Sequence, residues 1–203
     1  MKIKVLAACI CAAVLTGMAA RGMETEEKTA ELQKELAQEV FRFHVIADSN
    51  SRRDQALKMK VKEGILDYMR EELPDSNSAE ETKSWTKEHL SDIEEKSEEI
   101  LKENGGTDPV HAAVEWCHFP EKTYGDVTFP EGDYEALRVK IGSAKGRNWW
   151  CVLYPNLCFM DAVHAVVPEE GKEQLQEVLD EETYEMVTAG TPFKIRFFFL
   201  RKE

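Results

Sequence analysis

The chain has 203 residues, 42% of them hydrophobic, with 39 acidic against 26 basic side chains and a formal net charge of −13. Such a composition supports a globular core of moderate size. It disfavours nucleic acid and anionic lipid as partners, because both are held by clustered lysine and arginine, and leaves a protein or a small molecule as the expected partner.

Lys2 and Lys4 precede an uncharged apolar run from Val5 to Ala20, and the acidic Glu24-Thr25-Glu26-Glu27 follows Arg21. With Met18-Ala19-Ala20 as small residues for cleavage, residues 1–20 read as a secretory signal peptide. As a helix the run would span roughly 24 Å against a hydrocarbon core of about 30 Å, short for a stable anchor. Left uncleaved, it would give a loose membrane association. The mature chain is therefore expected outside the cytosol, where disulfides persist.

Residues 21–38 are acidic and polar, with Leu32 and Leu36 one helical turn apart, and read as an acidic tether or short helix. A single domain is expected over 39–203. Phe41, Phe43 and Val45 alternate with Arg42, His44 and Ile46, the period of a strand. Asp48-Ser49-Asn50-Ser51 ends it, and Ser51 with Asp54 suits a helix N-cap. Leu57, Val61, Ile65 and Tyr68 then form one stripe up to Pro74. Ser78 and Glu81 cap a second helix carrying Trp85, Leu90, Ile93, Ile100 and Leu101, which Asn104-Gly105-Gly106 closes. Two helices joined by a short polar turn imply an αα-hairpin.

From Pro109 the texture is β. Val110, Ala112, Val114 and Trp116 alternate with their neighbours, and Pro130 to Asp133 marks a turn. Leu137, Val139 and Ile141 form one face of another strand, and Gly142 to Gly146 leads into Trp149 to Tyr154. Residues 169–188 return to helix, and 193–200 form a last β stretch. The predicted class is α+β: a mostly antiparallel sheet with the αα-hairpin and a C-terminal helix packed on one face.

Of five cysteines, Cys9 and Cys11 lie in the signal segment, leaving Cys117, Cys151 and Cys158, so at most one internal pair forms. A Cys151–Cys158 bond would close an eight-residue loop around the Pro155-Asn156 turn signal, worth about 2.5 kcal/mol on the chain-entropy estimate. Catalytic patterns are weak. Cys117 and His118 are neighbours on a strand and point to opposite faces, so they do not form a thiol–imidazole pair. Asp48-Ser49-Asn50 resembles an aspartic-protease turn only loosely and has no second copy. His44, His111, His118, His164 and the three mature cysteines fall into no metal-ligand spacing. No catalytic residue, cofactor or metal is therefore assigned. Adjacent Trp149 and Trp150 put one ring toward the core and leave the other as an interface anchor or as cover for the following turn. Arg52, Arg53, Lys58, Lys60 and Lys62 make a basic island in an acidic chain, either merely solvated or steering a complementary partner.

Two blocks carry a family resemblance. One is Phe41-Arg42-Phe43-His44-Val45-Ile46-Ala47-Asp48-Ser49-Asn50-Ser51 with Asp54-Gln55-Ala56-Leu57-Lys58. The other is Tyr124-Gly125, Glu135-Ala136-Leu137 and Asn148-Trp149-Trp150-Cys151-Val152-Leu153-Tyr154-Pro155 with Leu157-Cys158-Phe159. Together they resemble stage II sporulation protein R of endospore-forming bacteria. Asp48 and Asn50 stand where that family often has Asn and Asp, and Asn156 occupies a frequent Pro position. The resemblance implies a signal, not an enzyme. It would be secreted from the forespore into the intermembrane space, where it activates a membrane-embedded aspartic protease that processes the sigma factor E precursor in the mother cell. Candidate contacts are Trp149, Trp150, Pro155, Asn156 and Leu157, with Asp48, Ser49, Asn50 and Asp54 as a second group. The alternatives are a secreted hydrolase acting on peptidoglycan or peptide, and a self-assembling coat protein.

Overall fold

The computed structural model describes residues 27–74, 76, 78–159, 167 and 169–189. The signal segment and the 193–200 stretch lie outside them. The order is α1 (27–39), β1 (Phe41–Ile46), α2 (Arg52–Glu72), α3 (Ala79–Glu88), α4 (Leu90–Glu103), β2 (Val110–Phe119), β3 (Lys122–Tyr124), β4 (Val127–Phe129), β5 (Gly132–Ile141), β6 (Asn148–Tyr154), a 3-10 turn (Leu157–Phe159), α5 (Glu169–Val178) and α6 (Glu181–Thr188).

Four strands form one sheet in the order β2-β5-β1-β6, while β3 and β4 pair separately as a hairpin. β5 runs antiparallel to β2, and β6 runs antiparallel to β1. The central β1–β5 ladder is parallel, with Phe43 opposite Leu137 and Val45 opposite Val139. A parallel neighbour needs a crossover, and here the crossover holds α2, α3, α4, β2 and the β3–β4 hairpin. Every residue of β1 is buried, as suits a strand covered on both faces.

On one face Phe41, Phe43, Val45, Leu137, Val139 and Leu153 meet Leu57, Val61, Ile65 and Met69 of α2 and Ile93 and Leu101 of α4. The other face carries a second core of Val40, Phe119, Phe129, Tyr134, Ala136 and Val152, joined by Leu36 of α1, Leu175 of α5 and Met186 and Val187 of α6. The α+β class is as expected, with one correction: the C-terminal helices lie on the face opposite the αα-hairpin. Phe119, Phe129, Tyr134, Ala136 and Val152 make that second face apolar and aromatic, so it too needs cover.

Both N-caps form where the local signals put them: Ser51 Oγ accepts from Asp54 N at 3.0 Å and Ser78 Oγ from Glu81 N at 3.2 Å. The second arm of the hairpin breaks at His89, whose Nδ1 lies 2.8 Å from the Trp85 carbonyl oxygen and whose ring stacks on Trp85 at 4.1 Å. At the β2 edge, α4 supplies the missing ladder partners: Glu98 accepts from Val110 N at 3.1 Å and Glu94 from Ala112 N at 2.7 Å. The segment read as a tether is helical from residue 27, with Leu36 fully buried and Gln33 Nε2 donating to the Asp133 carbonyl at 3.3 Å.

Candidate functional site

Both resemblance blocks meet at one end of the sheet. β1 leaves the sheet at Ile46, which pairs with Asn148 at the start of β6, so the 48–54 turn lies against the 142–147 loop. Backbone bonds join them: Lys145 N donates to Asp48 O at 3.0 Å and Gly146 N to Ala47 O at 2.8 Å. Side chains do the rest. Asp48 Oδ1 accepts from Ser143 N at 2.6 Å, and Asn50 Oδ1 accepts from Arg147 N at 2.8 Å. Ser49 Oγ bonds the Asp54 carboxylate and accepts from Ser51 N at 3.1 Å. The bond from Ser143 N holds the Asp48 carboxyl below its usual range, with nearby Lys145 adding to the effect. Gly142 sits at φ +56, and a Cβ there would run into the Asp48 carboxylate. The sequence-selected Asp48, Ser49, Asn50 and Asp54 therefore aim their polar groups inward and fasten the turn.

Trp149 and Trp150 fall on opposite faces, as strand alternation requires, and both are half-buried. Trp149 meets Phe43 edge-on at 5.6 Å, and Lys62 Nζ lies 5.3 Å from its ring centroid. Trp150 stacks on His44 at 3.7 Å and packs against Phe119 at 4.6 Å. Both are packed against the domain, and the most exposed large hydrophobic among the described residues is Trp116 of β2, at 58%.

The expected knuckle is drawn out along a strand. Trp149 pairs with Val45 and Tyr154 with Phe41, so the tryptophans and the 155–157 turn sit toward opposite ends of β6, on the order of 20 Å apart. The Tyr154–Pro155 peptide is cis. Pro155 and Leu157 are buried and Asn156 half-buried. The 3-10 turn folds back so that Cys158 Sγ donates to Val152 O at 2.9 Å. Cys151 and Cys158 are brought together as thiols. Burial, followed by the neighbouring Cys151, raises the Cys158 thiol well above its usual range, and burial also raises Cys117.

Sequence reasoning missed a polar cluster under the second face. Arg42 is fully buried with no carboxylate partner among the described residues. Its guanidinium carbon lies 4.2 Å from the Phe119 centroid, 4.9 Å from Tyr134 and 5.3 Å from Phe129, and Nη2 donates to Tyr124 Oη at 3.0 Å. Half-buried Tyr124 resists ionisation more than a free phenol, chiefly through desolvation. His44, 3% exposed, has its pKa lowered to about 4, chiefly by burial. The available signal was an arginine and a histidine on a strand otherwise made of large apolar residues. No group of three or more His, Cys, Asp or Glu suited to a metal converges among the described residues. Nor is any helix among them long and apolar enough to cross a membrane.

Comparison with known proteins gives one family. The model of stage II sporulation protein R matches residues 37–164, a span that holds both blocks and the loop between them. The chain is also 31% identical over 166 residues to the stage II sporulation protein R of Bacillus subtilis (strain 168), covering 79% of this chain and 74% of that protein. No solved structure matches.

Proposed function

The chain belongs to the stage II sporulation protein R family, and from its sporulation role we propose that it is an exported signal that activates a membrane-embedded aspartic protease. The protease then processes the precursor of sigma factor E. The observation that carries this reading is the family match across 37–164, the span that forms the sheet end where the 48–54 turn, the 142–147 loop and Trp149 meet. The state of the reactive groups supports it: the His44 imidazole is buried and neutral, and the Cys158 thiol is pushed away from ionisation. Such groups suit a fold more than a nucleophile and base poised near neutrality.

Activation requires tighter binding to the active protease than to the inactive one. Moving the protease from almost wholly inactive to almost wholly active takes about a 10⁴-fold difference in affinity. The contact residues are Trp149 and the 48–54 turn at one end, with Trp150 and the 155–157 turn along β6, and a Cys151–Cys158 disulfide formed after export holds their geometry. Co-expression tests the reading: the chain is exported in a non-sporulating host beside the cognate protease and sigma precursor. Cleavage is expected only when the chain is present. An intact, secreted chain that leaves the precursor uncleaved refutes the proposal.

A further inference from the structure

Two distant stretches, 49–62 and 142–160, hold seven basic residues against one acid, in a chain where acids outnumber bases 39 to 26. The fold puts them side by side. Arg147 N donates to Asn50 Oδ1 at 2.8 Å, Lys58 Nζ donates to Arg147 O at 3.1 Å, and Lys145 N to Asp48 O at 3.0 Å. Arg52, Lys145 and Arg147 are exposed around that junction, and Lys62 lies over Trp149 beside it.

Several surface cations elsewhere sit in ion pairs. Lys83 lies between Glu80 and Glu135, Arg138 and Lys140 share Glu115, and Lys172 meets Asp126. Arg52, Lys145 and Arg147 have no ion pair among the described residues, despite the acidic excess. The two carboxylates at the junction are engaged within it, Asp48 by Ser143 N and Asp54 by Ser49. Lys58 faces like charge from Arg147. Charges of one sign gathered and left unpaired cost stability through self-repulsion, which an oppositely charged partner relieves.

We infer that this basic collar docks an acidic polypeptide segment of the partner protein, with Arg52, Lys145 and Arg147 as the contacting cations and Trp149 as the apolar edge. The inference rests on the reading that the chain acts by binding another protein. A peptide fits the collar better than a lipid surface does. Screening confines the field to about 8 Å at physiological salt, so a segment can engage the cations alone. A flat anionic membrane would also face the rest of a chain whose net charge is −13.

The test compares the wild-type chain with Arg52→Glu/Lys145→Glu/Arg147→Glu and with a charge-matched control, Lys34→Glu/Lys96→Glu/Lys122→Glu, after circular dichroism has established folding. Three arms are read: binding of a labelled oligoglutamate peptide at low and high salt, binding to phosphatidylglycerol–phosphatidylcholine vesicles, and precursor cleavage in the co-expression host. Expected is salt-sensitive peptide binding that falls by roughly tenfold or more in the collar variant and stays near wild type in the control, with cleavage lost only in the collar variant. Equal peptide binding by both variants, or none by wild type, overturns the inference. So does vesicle binding that depends on the collar without peptide binding. Failure of the two readings separates cleanly. If wild type drives no cleavage while the peptide arm still discriminates, the protease reading falls and the collar stands. If the collar variant drives full cleavage, the collar falls and the protease reading stands. A collar variant that does not fold is replaced by the three single reversals, judged by the same outcomes.

Discussion

The buried His44 makes the fold sensitive to mild acid by an amount that can be worked out. Its ring is 3% exposed, stacked on Trp150 at 3.7 Å, with Phe119 5.8 Å away. Burial lowers its pKa from 6.5 to about 4, and the charges of Arg138, Lys140 and Arg42 act in the same direction. The nearby Asn148 side chain offsets part of this, and neither ring nitrogen has a partner at ordinary hydrogen-bond range. In the unfolded chain the imidazole takes up a proton below about 6.5. The folded protein resists until about 4. Between those values the unfolded state binds more protons, so stability is complete above the upper one and is lost as pH falls toward the lower. The whole gap amounts to about 3 kcal/mol, of which roughly 2 kcal/mol falls between pH 7 and pH 4.5. Urea unfolding of wild type and His44→Phe at both pH values measures it, because carboxylate contributions common to the two proteins cancel in the difference. Phe keeps the aromatic stack and removes the unpaired nitrogens, so the variant should be at least as stable at pH 7 and should lose roughly 2 kcal/mol less on acidification. Parallel losses in the two proteins, or a His44 NMR titration midpoint near 6.5, would refute the reasoning.

Three further outcomes are expected. Gly146→Ala should lower stability by about 1–3 kcal/mol in thermal or urea unfolding, because its Cβ would run into the Ser49 carbonyl and the Ala47 side chain; an unchanged midpoint would mean the 142–147 loop is not locked to the turn. Exported protein analysed by non-reducing mass spectrometry should carry one Cys151–Cys158 bond, with Cys117 left as a slowly alkylated thiol because burial raises its pKa; a bond involving Cys117 would contradict the arrangement. His118 is exposed, and hydrogen bonds to Asp133 first and Glu131 second raise its pKa, so its NMR midpoint should exceed 6.5 and fall in Asp133→Asn. Its small stabilising contribution is present at low pH and disappears as pH rises past that midpoint.

What was legible in the sequence was mostly local. The caps at Ser51 and Ser78 and the Gly105 helix end depend on a few neighbouring residues, and they form as expected. The opposite facing of Trp149 and Trp150 needs only the period of a strand. The parallel β1–β5 pairing depends on residues about 95 positions apart in the chain, such as Arg42 and Ala136, and no local pattern announces it. Alternation also misled in one respect. Arg42 and His44 occupy the positions at which a half-buried strand would meet water, yet β1 is central and both are enclosed by aromatic rings. The break at His89 escaped because neither Pro nor Gly marks it and the apolar spacing continues through it. The side taken by α5 and α6 followed from the apolar second face, which becomes visible only once the strands are ordered.

The densest motif in the chain, from Asp48 to Asp54, divides its work by side-chain direction. Asp48, Ser49, Asn50 and Asp54 point into the junction and bind backbone and hydroxyl groups of the turn and of the 142–147 loop. Those residues look like recognition elements in the sequence, but their polar groups are already engaged, and their exchange should act on folding first. Arg52, Lys145 and Arg147 emerge exposed from the same junction and make no ion pair among the described residues, although Lys145 lies near enough to Asp48 to lower its pKa. A rigid turn that presents unpaired cations loses little entropy when a partner docks, which is the advantage of preorganisation. One segment can therefore lock β1 to β6 and display a docking surface, and the two roles separate by mutation. Inward changes should lower the unfolding midpoint together with signalling, whereas outward charge reversals should abolish signalling in a protein of unaltered stability.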